Sequence, residues 1–324
     1  MPGPSEACAS VCLRGVRVII MPTHRCCRHQ SVTRTPPSPS IPTVDAVSYA
    51  PRLGAPDPWH RPDGRVEVHA GARLTPAALV QLASACYALR QAGHHPVLRA
   101  DDAAVREYLW RCAFLEVVHP VARIEPPVPM AIAPPGELER RASPLLLDVT
   151  RLETSADLAP LLDQILRVLQ QRLPYRTDDA CDVTTAVSEL CQNIFDHNVQ
   201  TCGFVAMQVT GRADHRCLEI GVADYGAGLA ATLRRNPHHP PLGSDGDAIQ
   251  LAVQRGASAY ADPTRGTGLY HLLELVAKQA GAVQIRSGTA TVHYDRHQRW
   301  TGTVPWMAGV HVALTLPTPR GVDR

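Results

Sequence analysis

The sequence predicts an α+β protein, and three observations lead there. Between residues 143 and 320, helices precede and interrupt the strands of a mostly antiparallel sheet. Residues 65–118 repeat a strand-helix-strand-helix pattern, a small α/β unit of its own. A proline-dense stretch at 119–142 separates the two and reads as a linker.

The 324 residues suffice for two domains, and 45% apolar with 19% charged residues fits a globular chain that buries a sizeable core. No apolar run approaches the roughly 20 residues that cross a bilayer, and Val16–Met21 is too short for a signal segment. A cytoplasmic protein is expected. The net charge of +2 shows no clustered basic groove, and Lys278 is the only lysine, so no direct nucleic-acid partner is expected. The ten cysteines form no Cys-x-x-Cys pair, and His24, Cys26, Cys27 and His29 fit zinc spacing poorly.

Residues 1–64 are rich in Pro, Ser, Arg and Gly without a sustained period, and read as a disordered tail. Arg65–Ala70 alternates as a strand. Thr75 then caps a helix with Pro76 at its first position, and Ala78, Leu79, Leu82, Ala83, Cys86 and Leu89 mark its apolar face until Gly93. His95–Ala100 is a second strand, and Asp101 and Asp102 open one further helix through Val105, Leu109, Cys112 and Leu115. Beyond the linker, Leu145–Val149 is a strand, and helices run from Ser155 or Asp157 to about Arg172 and from about Asp178 to Asn198. Strands at Gly203–Thr210 and Cys217–Ala223 follow, then an irregular region, a helix at Gly268–Gly281, and strands at Val283–Ser287 and Val310–Leu316.

Three local patterns carry chemistry. On the second long helix, Val183, Val187, Leu190, Cys191 and Ile194 form a buried stripe, with Glu189, Asn193 and Asp196 on its margin. A carboxylate there could polarise water and an amide oxygen could ligate Mg²⁺, although a solvated polar face has the same spacing. In Val222-Ala-Asp-Tyr-Gly-Ala-Gly-Leu229, an apolar strand runs into Asp224, Gly226 and Gly228. Such a turn brings backbone close to a ligand beside a carboxylate that can accept from an exocyclic amine, or is simply a tight turn. In Arg265-Gly-Thr-Gly-Leu-Tyr270, glycines open an apolar helix and aim free N–H groups at an anion, as an ordinary helix entry also would.

In this order the patterns resemble the N, G1 and G2 boxes of the GHKL superfamily, which includes histidine kinases, DNA gyrase B, MutL and anti-sigma-factor serine kinases. The resemblance covers residues 143–320 and implies a two-layer ATP-binding sandwich. It implies Glu189 as general base, Asn193 as Mg²⁺ ligand, Asp224 on the adenine amine, Gly226 and Gly228 in the pocket floor, and Gly266, Thr267, Gly268 and Leu269 at the phosphates. It makes Leu229–Arg265 an ATP lid with a helix at Asp247–Gly256, and Arg255 and Arg265 the γ-phosphate cations. The helix at Ser155–Arg172 carries no phosphoacceptor histidine, and no transducer domain is expected after Pro317, so the anti-sigma serine kinase branch fits best. Arg99-Ala-Asp-Asp and Cys112-Ala-Phe-Leu give 65–118 a loose likeness to a truncated STAS domain, with Thr75 as the hydroxyl at the helix start. The resemblance implies a regulatory partner such as a sigma factor or STAS-type protein, a homodimer, and control by phosphorylation, ATP hydrolysis or nucleotide-gated association.

Overall fold

Residues 47–48, 65–68, 74–127, 143, 145–173, 175–197, 202–211, 216–258 and 266–319 are described by a computed structural model. The strands expected at 65–70 and 95–100 form β2 (Arg65–Val68) and β3 (Val97–Ala100), paired in parallel. Two further strands complete this first sheet in the order β1-β2-β3-β4. β1 (Val47–Ser48) lies inside the segment expected to be a tail and pairs antiparallel with β2. β4 (Arg123–Glu125) lies inside the expected linker and pairs parallel with β3. The prolines there flank the strand at Pro120 and Pro126 without occupying it, so no ladder donor is lost.

Helix α1 (Pro76–Gln91) begins as its sequence requires, with the Thr75 hydroxyl accepting from the Ala78 N–H at 3.2 Å. It differs from expectation in being buried from Pro76 to Leu89, on all sides. The expected face packs with Val66 and Leu98 of the first sheet. The opposite side, which carries the small residues Ala77 and Ser84, rests on a second sheet. The helix expected to run through Leu115 is two, α2 (Ala103–Arg111) and α3 (Phe114–Val118), because Ala113 turns left-handed with φ 58.

The second sheet is wholly antiparallel, in the order β5-β6-β7-β9-β8. Its strands are β5 (Leu145–Leu152), β6 (Gly203–Thr210), β7 (Cys217–Asp224), β8 (Ala282–Asp295) and β9 (Arg299–Pro317). One face carries α4 (Leu158–Gln171), α5 (Thr177–His197) and α8 (Gly268–Lys278), closing a core around Leu147, Ile220, Val222 and Val312. Short helices α6 (Gly228–Leu233) and α7 (Asp245–Ala252) join them.

The other face is covered by α1, and Phe204, Ala206, Ala223 and Met307 share one cluster with Leu79 and Leu82. Every residue of β7 is therefore buried. The protein is α+β, but the N-terminal unit shares a core with the rest, so the layers run sheet, helix, sheet, helices. β8 and β9 extend well past the strands expected, through paired Tyr294 and Arg299. This hairpin backs α7, where the Asp245 carboxylate accepts from the N–H and hydroxyl of Thr289 at 2.7 and 2.8 Å. No described helix is long and apolar enough to cross a membrane.

Candidate functional site

Helix α5 buries Val183, Val187, Leu190, Cys191 and Ile194, which turns Glu189 and Asn193 to the rim of the core. The N-terminus of α8 meets them there. At Gly268 a Cβ would lie 3.2 Å from Glu189 Cβ and 3.4 Å from Asn193 Nδ2, so glycine lets the two helices touch. Thr267, ahead of this helix, does not cap it with its side chain. The first N–H groups of a helix have no partner within it, and at the edge of a cleft such groups suit an anion. Gly266 takes φ +80, and its carbonyl accepts from the Gly256 N–H at 2.9 Å, tying the turn to the end of the 229–258 segment.

Asp224 ends β7 and is buried. Its Oδ1 accepts from the Gly226 N–H at 2.7 Å and its Oδ2 from the Val310 N–H at 3.2 Å. Two backbone donors thus hold the carboxylate in one orientation. Gly228 takes φ +77, and a Cβ on it would lie 2.9 Å from Ser287 Oγ. That hydroxyl accepts from the Leu229 N–H at 2.9 Å and donates to the Gly309 carbonyl at 3.0 Å. The Asp-x-Gly-x-Gly turn is thus clamped by β8 and β9.

One cleft is lined by Glu189, Asn193, Asp224, Gly228, Gly266, Thr267, Gly268 and Leu269. Eight of the residues expected to bind a ligand or metal are therefore brought together. Gly226 does not line it and acts through the N–H that holds Asp224. Arg265 lies outside the described residues, as does the His24–His29 cluster. Arg255 is exposed and is not in the lining. The segment expected to be a lid supplies one wall through Thr232, Leu233, Ala252, Ala257 and Ser258.

Several residues of the site were not foreseen. Val222, Leu229, Val310 and Val312 give the lining an apolar slot beside Asp224. His271, one turn into α8, points Nδ1 at Glu189 Oε1 at 3.0 Å and Oε2 at 3.3 Å. Only Gly309, a glycine within a strand, left a sequence signal of close backbone approach.

Glu189, Asp196 and Asp224 give the cleft three carboxylates, with no arginine or lysine among the described lining residues. Such a lining suits a cation or a ligand that brings one. Among the described residues no group of three or more His, Cys, Asp or Glu is arranged to cage a metal. A hard cation here would have to share few protein oxygens with its ligand, the habit of Mg²⁺ bound with phosphates. Thr75, the hydroxyl singled out in the N-terminal unit, is buried and occupied as a helix cap. No family model matches this chain, and no curated protein matches it.

Proposed function

We propose that residues 143–320 form a Mg-ATP-binding module of the GHKL type, within a regulatory protein of the anti-sigma serine kinase kind. The observation that carries this reading is the convergence of Asp224, the apolar slot, the Glu189–Asn193 pair and the Gly266–Gly268 turn on one cleft. Asp224 would accept from the adenine amine while Val222, Leu229 and Val310 cover the ring. The uncapped start of α8 would receive phosphate oxygens. The amide oxygen of Asn193 would serve as a single protein ligand to Mg²⁺, and the bound ion would offset phosphate charge. Glu189 would orient an attacking water or hydroxyl, with His271 steering its carboxylate. The output would be phosphorylation of a Ser or Thr on a partner such as a sigma factor or STAS-type protein, or nucleotide-dependent association with it.

A second reading, a nucleotide-gated interaction module with little catalysis, draws on two observations. Both carboxylate oxygens of Glu189 are engaged by His271. The Thr75 hydroxyl is buried and caps α1, so Thr75 is not presented as an acceptor. Calorimetric titration with Mg-ATP tests what the readings share. The wild type should bind, and Asp224→Ala and Asn193→Ala should each weaken binding by roughly tenfold or more. No heat of binding from the folded wild type would sink both readings. Radiolabelled ATP then separates them: transfer or phosphate release that disappears in Glu189→Gln marks an enzyme, and tight binding without product marks the module.

A further inference from the structure

We propose, as an inference resting on the ATP reading above, that α1 of the N-terminal unit positions Asp224 for purine recognition through the Ser84 hydroxyl. Ser84 is 1% exposed. A serine inside a helix ordinarily returns its hydroxyl to the carbonyl one turn back. Ser84 instead donates to the Asp224 carbonyl at 2.8 Å, across 140 residues of sequence.

That bond fixes the peptide between Asp224 and Tyr225, from which the recognition turn starts. The Tyr225 ring lies 5.8 Å from Tyr87 of α1 and 6.4 Å from Phe204, filling the space beneath the turn. The next residue, Gly226, supplies the N–H that holds Asp224 Oδ1. A chain of fixed groups therefore runs from Ser84 through one peptide to the carboxylate. On the other side the Asp224 backbone is backed by Gly309, where a Cβ would come within 2.7 Å of Asp224 Oδ1.

The helix is itself seated firmly on β7. A Cβ at Gly221 would lie 2.6 Å from the backbone of Pro76 and Ala77, so the start of α1 rides directly on the strand. Gly221 and Asp224 give two contact points along β7, and together they set the helix against the strand in translation and rotation. The N-terminal unit thereby acts on the nucleotide site through Asp224 without lining it. By linkage, whatever loosens its docking lowers purine discrimination.

The test compares ATP with ITP, whose base carries a carbonyl in place of the 6-amine, on full-length wild type, Ser84→Ala and Asp224→Ala. The wild type should bind Mg-ATP more tightly than Mg-ITP. Ser84→Ala should weaken ATP roughly tenfold while changing ITP by less than about twofold, moving the ratio toward that of Asp224→Ala. A wild type that binds neither nucleotide overturns the ATP reading itself. A wild type that binds both alike removes the adenine role of Asp224 and this inference with it. If Ser84→Ala keeps the wild-type ratio, or weakens both nucleotides equally, the positioning role fails while the ATP reading stands. Should Ser84→Ala not fold, Ser84→Cys, of similar size and with a weak donor, gives the same ratio measurement.

Discussion

Gly309 shows how much of the site depends on one missing side chain. Its φ of +78 belongs to the left-handed region, where an L-residue costs roughly 1–2 kcal/mol. A Cβ would also press on the Asp224 carbonyl carbon at 2.5 Å. Gly309→Ala is therefore expected to lose about 2 kcal/mol or more of stability and to displace the carboxylate. Urea unfolding reads the first effect and ATP titration the second, and an unchanged affinity would show that Asp224 tolerates movement. The Glu189–His271 contact carries a different lesson. Two ordinary residues on separate helices become a unit only because Gly268 lets α8 approach α5.

Among the elements, α1 is the one whose surroundings differ most from its local pattern. A helix with one apolar face normally exposes the other, but α1 lies between two sheets and buries both. Truncating its fully buried Leu82 should cost about 3 kcal/mol, the middle of the range for a leucine-sized core cavity. Because the same helix touches both sheets, Leu82→Ala should speed amide exchange in β6 and β7 as well as in β2 and β3. Acceleration confined to the first sheet would mean that the units open independently. The β8–β9 hairpin is the second such element, since its extension gives α7 a surface to rest on through Asp245 and Thr289.

At the scale of the whole molecule, burial of the outer sheet face also sets a pH dependence. His311 is 1% exposed, donates its Nε2–H to the Ala308 carbonyl at 2.8 Å, and stands opposite Arg286 across the β8–β9 ladder. Burial first, and the Arg286 charge after it, push its pKa down to about 3. In the unfolded chain the imidazole takes a proton near its ordinary value of about 6.5. Between those two values the unfolded state binds more protons than the folded one. Stability is thus intact above about pH 6.5 and falls as pH drops, by up to roughly 1.4 kcal/mol per unit. Urea midpoints at pH 7.5 and pH 5 measure the slope, and His311→Gln should flatten it. A slope that survives the substitution would assign the effect to other groups.

What the sequence determined by itself is local: the α+β class, the helical stripe that carries Glu189 and Asn193, the strand that ends at Asp224, and the glycines that open α8. Periodicity and turn chemistry suffice for these, because each is decided within a few neighbouring residues. Tertiary structure alone decided what meets what. Ala77, Ser84 and Ala88 are too small and too mixed in polarity to announce a second buried face, and the bond from Ser84 to Asp224 spans 140 residues. β4 was hidden by prolines whose position, flanking the strand, matters more than their number. The cleft is therefore legible as a set of residue types, but its orientation rests on partners that only the packed chain brings near.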